Sequence, residues 1–183
     1  NDDIIHVDGS VDPARDIEVI NTELILADLQ SIEKVLDRNR RAAKAGDKEI
    51  RHLVEILEGL TKHMNDGRPA RSFPLEPNDL EMVAPLFLLT LKPVLYVANT
   101  SETPQEMPHV EIARKIAATE KAQFLTLDCA LEAEIALLPE GEREEFLKGM
   151  GLEEPGLFRF IRSTFDLLGL ITYYTAGPKE ARA

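Results

Sequence analysis

The apolar run from Lys92 to Ala98 ends abruptly at Asn99, and a carboxylate follows at Glu102. A short apolar run bounded by polar residues predicts a buried strand. Ligands of open α/β sheets bind beyond the carboxyl ends of the strands, so Asn99 and Glu102 are candidates for a binding site. An amide offers a donor and an acceptor and a carboxylate accepts, so the pair matches the polar edge of a purine. The same spacing also fits an ordinary solvated loop.

A second strand is predicted at Gln123–Leu127, and the helical spacing of apolar residues in 109–120 predicts a helix before it. A strand, a helix and a further strand in this order predict a right-handed parallel crossover. The carboxyl ends of two parallel strands lie at one edge of the sheet. Asn99 and Asp128, which follow the two apolar runs, are therefore expected to lie side by side.

Two further apolar runs advance in alternating steps of three and four residues, which predicts two helices that meet along an a/d seam. The first run consists of Ile25, Leu29, Ile32, Leu36 and Ala43, with Asn39 in the seam between the last two. The second run consists of Ile50, Leu53, Leu57, Leu60 and Met64. Gly46 and Asp47 between the runs are a helix stop and a helix start. We therefore expect an antiparallel hairpin of two helices with roughly 25 residues each.

Basic side chains crowd the predicted tip of this hairpin, although the whole chain carries a net charge of −12. They are Arg38, Arg40, Arg41, Lys44, Lys48 and Arg51. The acidic balance argues against general nucleic-acid binding, but a local basic surface predicts contact with an RNA backbone or an acidic partner. The alternative is an ordinary solvated hairpin end.

Chain length, apolar content and cysteine count limit the class of protein that this chain can be. A chain of 183 residues with 44% apolar residues can bury a core in one large domain or two small ones. Its single cysteine, Cys129, excludes an internal disulfide and fits a reducing compartment. No apolar stretch approaches about 18 residues and no signal peptide is visible, so we expect a cytoplasmic protein without a membrane segment. The histidines lack ligand spacing with a cysteine or carboxylate, so no metal site is predicted.

Five segments in order along nearly the whole chain carry a family resemblance. They are Ile4–Leu29, Gly67–Arg71, Leu88–Asn99, Leu131–Ile135 and Thr172–Gly177. Together they resemble the YchF, or Obg-like ATPase, family of P-loop nucleotide hydrolases. The resemblance implies an α/β fold, the C-terminal half of a parallel P-loop nucleotide-hydrolase sheet with an inserted antiparallel helical coiled-coil hairpin.

The resemblance also implies a division into domains. Residues 1–20 are expected to form a strand and turn of the nucleotide-binding domain, 21–71 the hairpin insertion, 72–170 the rest of that domain and 171–183 the start of a TGS domain. No Gly-x-x-x-x-Gly-Lys-Ser/Thr phosphate loop occurs in the sequence. Family members carry that loop and the magnesium ligands upstream of the corresponding segment. We therefore expect this chain to be the middle of a longer protein and to be inactive as a hydrolase alone.

The resemblance assigns a nucleotide site to two loops. Its members are Asn99, Thr100, Glu102, Asp128, Cys129 and Ala130. GTP-selective relatives have Asn-Lys-x-Asp, whereas Thr100 and Glu102 stand here in place of Lys and Asp. Because the N6/N7 edge of adenine matches an Asn amide, ATP is implied over GTP, with Asn99 as the reader. Family members commonly have Ser where Asp128 stands, and a carboxylate there either weakens binding or turns outward.

The function implied by the resemblance is that of a regulatory, ribosome-associated phosphohydrolase. Its ligands would be ATP or GTP with Mg²⁺, and its metal ligands would lie outside this segment. The alternative is a helical partner-binding module without nucleotide binding, in which Asn99 and Glu102 have no role.

Overall fold

The computed structural model describes residues 11–100, 108–176 and 181–182. The described residues divide into a helical unit, Ala14–Pro93, and a second unit that contains the residues from Val94 onward. The second unit contains a parallel sheet with helices. The predicted α/β class is thereby confirmed, and its assignment to a P-loop nucleotide-hydrolase sheet stays a prediction.

The helical unit is built on a hairpin of α1 (Pro13–Lys44) and α2 (Lys48–Asn65). The reversal lies where Gly46 and Asp47 predict it. Gly46 has a φ of +101°, which favours glycine, and Asp47 Oδ1 accepts from the N–H groups of Glu49 and Ile50 at 3.0 and 3.1 Å.

The predicted helix lengths are wrong, because α1 has 32 residues and α2 has 18. The first helix begins at Pro13, since the first helical turn tolerates a residue without an N–H. Residues 13–20 are therefore helical rather than a turn, and residues 1–10 lie outside the described ones. The seam pattern begins only at Ile25, so it marked the part of α1 that is buried and not the start of the helix.

The predicted seam is buried in the core of the helical unit. Ile32, Leu57 and Leu60 are fully buried, and Leu36 and Met64 are nearly so. Asn39, the polar residue of the seam, is partly buried. Its Nδ2 donates to the carbonyl of Val35 in its own helix at 2.9 Å, so the amide is satisfied locally.

A buried carboxylate attaches a distant segment to the hairpin. Asp28 is 2% exposed and accepts from the N–H of Leu89, the N–H of Thr90 and the hydroxyl of Thr90, each at 2.7 Å. The same hydroxyl accepts from the N–H of Ala70 at 3.0 Å. Residues 72–93, which include α3 (Pro77–Val83), therefore belong to the same compact unit as the hairpin. The predicted boundary after residue 71 does not coincide with the end of this unit, at Pro93.

The second unit contains two parallel strands, β1 (Leu95–Asn99) and β2 (Gln123–Leu127), as predicted. The helix between them in sequence, α4 (Pro108–Thr119), packs against both strands. Later elements are α5 (Cys129–Leu137), α6 (Glu140–Gly149), α7 (Gly156–Leu167) and a short antiparallel pair, β3 (Thr175–Ala176) and β4 (Ala181–Arg182). Short 3₁₀ turns occur at Ala70–Ser72, Ala84–Leu86 and Leu89–Leu91.

Replacing Asp28 tests whether this carboxylate holds the helical unit together. We expect Asp28→Ala to lower the free energy of unfolding by about 2–5 kcal/mol, because two backbone N–H groups would lose their acceptor. Asp37→Ala, at an exposed position on the same helix, should change stability by less than about 0.5 kcal/mol. Urea denaturation of both variants measures the difference, and equal midpoints would contradict the assigned role.

Candidate functional site

The carboxyl ends of β1 and β2 meet as the sequence predicts. Asn99 is opposite Leu127 in the parallel register, and the N–H of Thr100 donates to the carbonyl of Leu127 at 2.9 Å. Asn99 Oδ1 accepts from the N–H of Cys129 at 3.1 Å. The Asn99 side chain therefore connects the end of one strand to the first turn of the helix that follows the other.

This contact fixes which end of the Asn99 amide faces the turn. An N–H group needs an acceptor, so the amide oxygen faces Cys129 and the amide nitrogen keeps its two donors for other partners. Asn99, Cys129 and Ala130 are all exposed. Thr100 differs from them because it is 8% exposed. The structure therefore brings Asn99 together with the second loop, whereas Thr100 is buried.

Asp128 caps α5 instead of turning outward. Its Oδ1 accepts from the N–H groups of Ala130 and Leu131, both at 3.0 Å. An N-cap supplies the carboxylate with partners inside the chain, and the expected weakening of nucleotide binding by Asp128 stays a prediction. The amide of Ala130 thus donates to Asp128 and that of Cys129 to Asn99, so both have acceptors within the chain. Glu102, the remaining predicted site residue, lies outside the described residues, and its role stays a prediction.

Sequence reasoning missed Glu132, which lies one turn beyond Asp128. Its Oε1 accepts from the N–H of Gly156 at 2.6 Å, and its Oε2 accepts from the N–H of Leu157 at 3.0 Å. A carboxylate at this place satisfies two donors at the start of α7 and interacts favourably with the helix dipole. The sequence carried one indication of this role. Pro155 precedes α7 and supplies no side-chain cap, so the first N–H groups of that helix need an acceptor from elsewhere in the chain.

The predicted basic tip is on the surface, and all six of its arginine and lysine residues are exposed. Arg40 lies 3.4 Å from a carboxylate oxygen of Asp37 and 4.0 Å from one of Glu58. No ion pair within the described part of the chain involves the other five. The tip therefore carries a cluster of solvated positive charge.

The described ranges offer neither a metal cluster nor a membrane-spanning helix. Among residues 11–100, 108–176 and 181–182, no group of three His, Cys, Asp or Glu side chains could hold a metal ion. None of the helices in these ranges combines the length and the apolar character needed to cross a bilayer.

Known proteins resemble this chain over its whole length. It is 45% identical to the ribosome-binding ATPase YchF of Haemophilus influenzae, and 44% and 43% identical to the proteins of that name from Pasteurella multocida and Bacillus subtilis. Each alignment covers 100% of this chain and 51% of the relative. The resemblance to the YchF family is confirmed. The chain spans about half the length of the YchF relatives it matches, and no protein-family model matches it.

The capping role of Asp128 gives a test at the position where the family resemblance implies a serine. We expect Asp128→Ser to leave the free energy of unfolding within about 0.5 kcal/mol, because a serine hydroxyl also caps a helix. Asp128→Ala should lower it by about 0.5–2 kcal/mol, because two amides would lose their acceptor. Urea denaturation measures both variants. Equal free energies of unfolding for the alanine and serine variants would show that the side chain of Asp128 does not stabilise the start of α5.

Proposed function

We propose that this chain is the base-contacting portion of a YchF-like ATP/GTP hydrolase. The observation that carries the proposal is the 3.1 Å hydrogen bond from the Cys129 amide to Asn99 Oδ1. It joins the two loops that the family resemblance assigns to the purine base. In this proposal Asn99, Thr100 and the Asp128–Ala130 turn form the base edge, and Glu102 is a further expected member outside the described residues.

The side chain of Asn99 favours adenine over guanine. Guanine presents two acceptors on this edge, O6 and N7, so one of them would face the Asn99 oxygen without a hydrogen between them, and the amides of Cys129 and Ala130 are already paired within the chain. Adenine N7 can instead accept from the Asn99 amide nitrogen, and adenine N6 can donate to the second lone pair of Asn99 Oδ1. ATP is therefore the favoured nucleotide.

Phosphate and metal chemistry is assigned to residues outside this sequence. Phosphate binding relies on a glycine-rich loop at a helix start and on Mg²⁺, and the sequence contains no such loop. The relatives are named ATPases and are about twice as long. In this proposal the longer protein hydrolyses ATP, this chain alone does not, and residues 171–183 begin a TGS domain.

Asn99→Asp separates base reading from turn stability. An aspartate keeps an acceptor for the Cys129 amide but replaces the two donors that face adenine N7. We expect its affinity for adenosine to fall by roughly 5- to 150-fold, the range for loss of a base contact, with an unchanged thermal melt. Adenosine is titrated into the ¹⁵N-labelled chain, and binding is measured from amide shifts near Asn99 and Cys129.

Two outcomes of this titration would contradict the proposal. The first is an unshifted spectrum of the parent chain at millimolar adenosine. The second is equal affinity of the parent and Asn99→Asp proteins, which would mean that the base is read elsewhere. Asn99→Ala is the matched comparison, because it removes the acceptor as well and should weaken both binding and the turn.

The basic tip is the proposed contact with the ribosome. The relatives are named ribosome-binding, and the tip offers exposed positive charge on an acidic chain. Such a surface binds RNA phosphates while the acidic remainder repels non-specific contact. A ribosome contact also gives the protein a cytoplasmic location.

Charge reversal at three tip positions tests this contact. We choose Arg38→Glu, Arg41→Glu and Lys44→Glu, and leave Arg40 because it pairs with acidic neighbours. Ribosome co-sedimentation should weaken. The slope of log affinity against log salt concentration should also become shallower, by about one for each phosphate that the tip no longer neutralises. Reversal of Lys62, Lys92 and Lys115, which are exposed but outside the tip, is the control. Equal binding by the two triple variants would make the tip an ordinary solvated end.

The second candidate function is a helical partner-binding module. It is favoured by the separate core of the helical unit, Ala14–Pro93. This candidate requires tip-dependent binding together with no response to adenosine, so the two experiments distinguish it from the nucleotide site.

A further inference from the structure

Glu132 makes hydrogen bonds both to the turn of the candidate base site, through its backbone, and to the start of α7, through its side chain. Its own N–H donates to the carbonyl of Asp128 at 2.9 Å, within the turn that contains Cys129. Its carboxylate accepts from the amides of Gly156 and Leu157. One residue therefore connects the proposed base edge to a helix more than twenty positions further along the chain.

The start of α7 packs closely against Glu132 and Leu127. Gly156 is buried, and a Cβ atom at this position would lie 2.6 Å from Cδ1 of Leu127 and 2.8 Å from Oε1 of Glu132. Leu127 is the last residue of β2 and its carbonyl accepts from Thr100. The start of α7 therefore packs against Leu127, at the strand end next to the candidate site.

We propose that Glu132 is a positioning residue that couples the base-site turn, Asp128–Ala130, to the start of α7. Two hydrogen bonds from one carboxylate fix both its place and its orientation, and the helix dipole of α7 strengthens them. A displacement of α7 is then transmitted to the turn, and occupancy of the turn is transmitted to α7. The biological meaning of this coupling rests on the proposed function, but the coupling can be measured without a nucleotide.

The first test uses Cys129 as a reporter within the turn. Its backbone N–H is hydrogen-bonded to Asn99 Oδ1, so the hydrogen-exchange rate of this amide reports how often the turn opens under native conditions. Glu132→Gln replaces one acceptor oxygen with an amide nitrogen and removes one of the two bonds to α7. We expect the rate to rise by roughly 2- to 30-fold, the range for loss of a capping interaction. Glu134→Gln, an exposed position on the same helix, is the matched control and should leave the rate unchanged.

The second test begins with the parent chain. In the ¹⁵N-labelled parent protein, adenosine should shift the amide signals of Gly156 and Leu157 together with that of Cys129. In Glu132→Gln the Cys129 signal should still shift, while the two α7 signals should no longer respond. A general loss of structure would instead move signals throughout α6, which serve as the internal control. If Glu132→Gln failed to fold, the titration of the parent chain would decide alone.

The outcomes separate this inference from the proposed function. An unchanged exchange rate of the Cys129 amide in folded Glu132→Gln would overturn the coupling. A shift at Cys129 without one at Gly156 and Leu157 in the parent chain would do the same. If adenosine shifted no signal, the proposed base site would fail, and the exchange rates of the Cys129 amide would still decide whether Glu132 couples the turn to α7.

Discussion

The hydrogen bond from the Cys129 amide to Asn99 is the contact on which the candidate site depends. It requires β1 and β2 to be parallel and in register, because only then does the end of one strand reach the turn after the other. It also leaves the Asn99 amide nitrogen as the donor available to a ligand. The strand pairing thereby determines both the place of the site and its hydrogen-bonding character.

The same physical device recurs in both units of the chain. Asp28 accepts from backbone amides 61 and 62 residues away, Asn99 from one 30 residues away and Glu132 from two at 24 and 25 residues. Backbone amides at helix starts and turns lack an acceptor within their own element, and single carboxylates or amides from distant parts of the chain supply one here. Apolar packing brings the elements together, and these polar contacts determine how the connecting segments are held.

Local sequence patterns predicted the elements whose causes are local. The bounds of β2 and the reversal at Gly46 and Asp47 follow from apolar periodicity and turn chemistry, and the structure has them where they were predicted. The extent of α1 was missed, because the seam pattern covers only the buried part of a helix. The capping role of Asp128 was also missed, because a polar residue before a helix looks the same in the sequence whether it caps the helix or contacts a ligand. The roles of Asp28 and Glu132 could not be predicted, because their partners are brought close only by the tertiary fold.

The most direct test of the base site is a nuclear Overhauser measurement on the ¹⁵N-labelled chain with unlabelled adenosine. Adenine H8 adjoins N7, so we predict a contact between H8 and the side-chain amide hydrogens of Asn99, with the Cys129 amide remaining hydrogen-bonded. Contacts from bound adenosine to other parts of the chain, with none to Asn99, would contradict the assignment of this strand edge as the purine site.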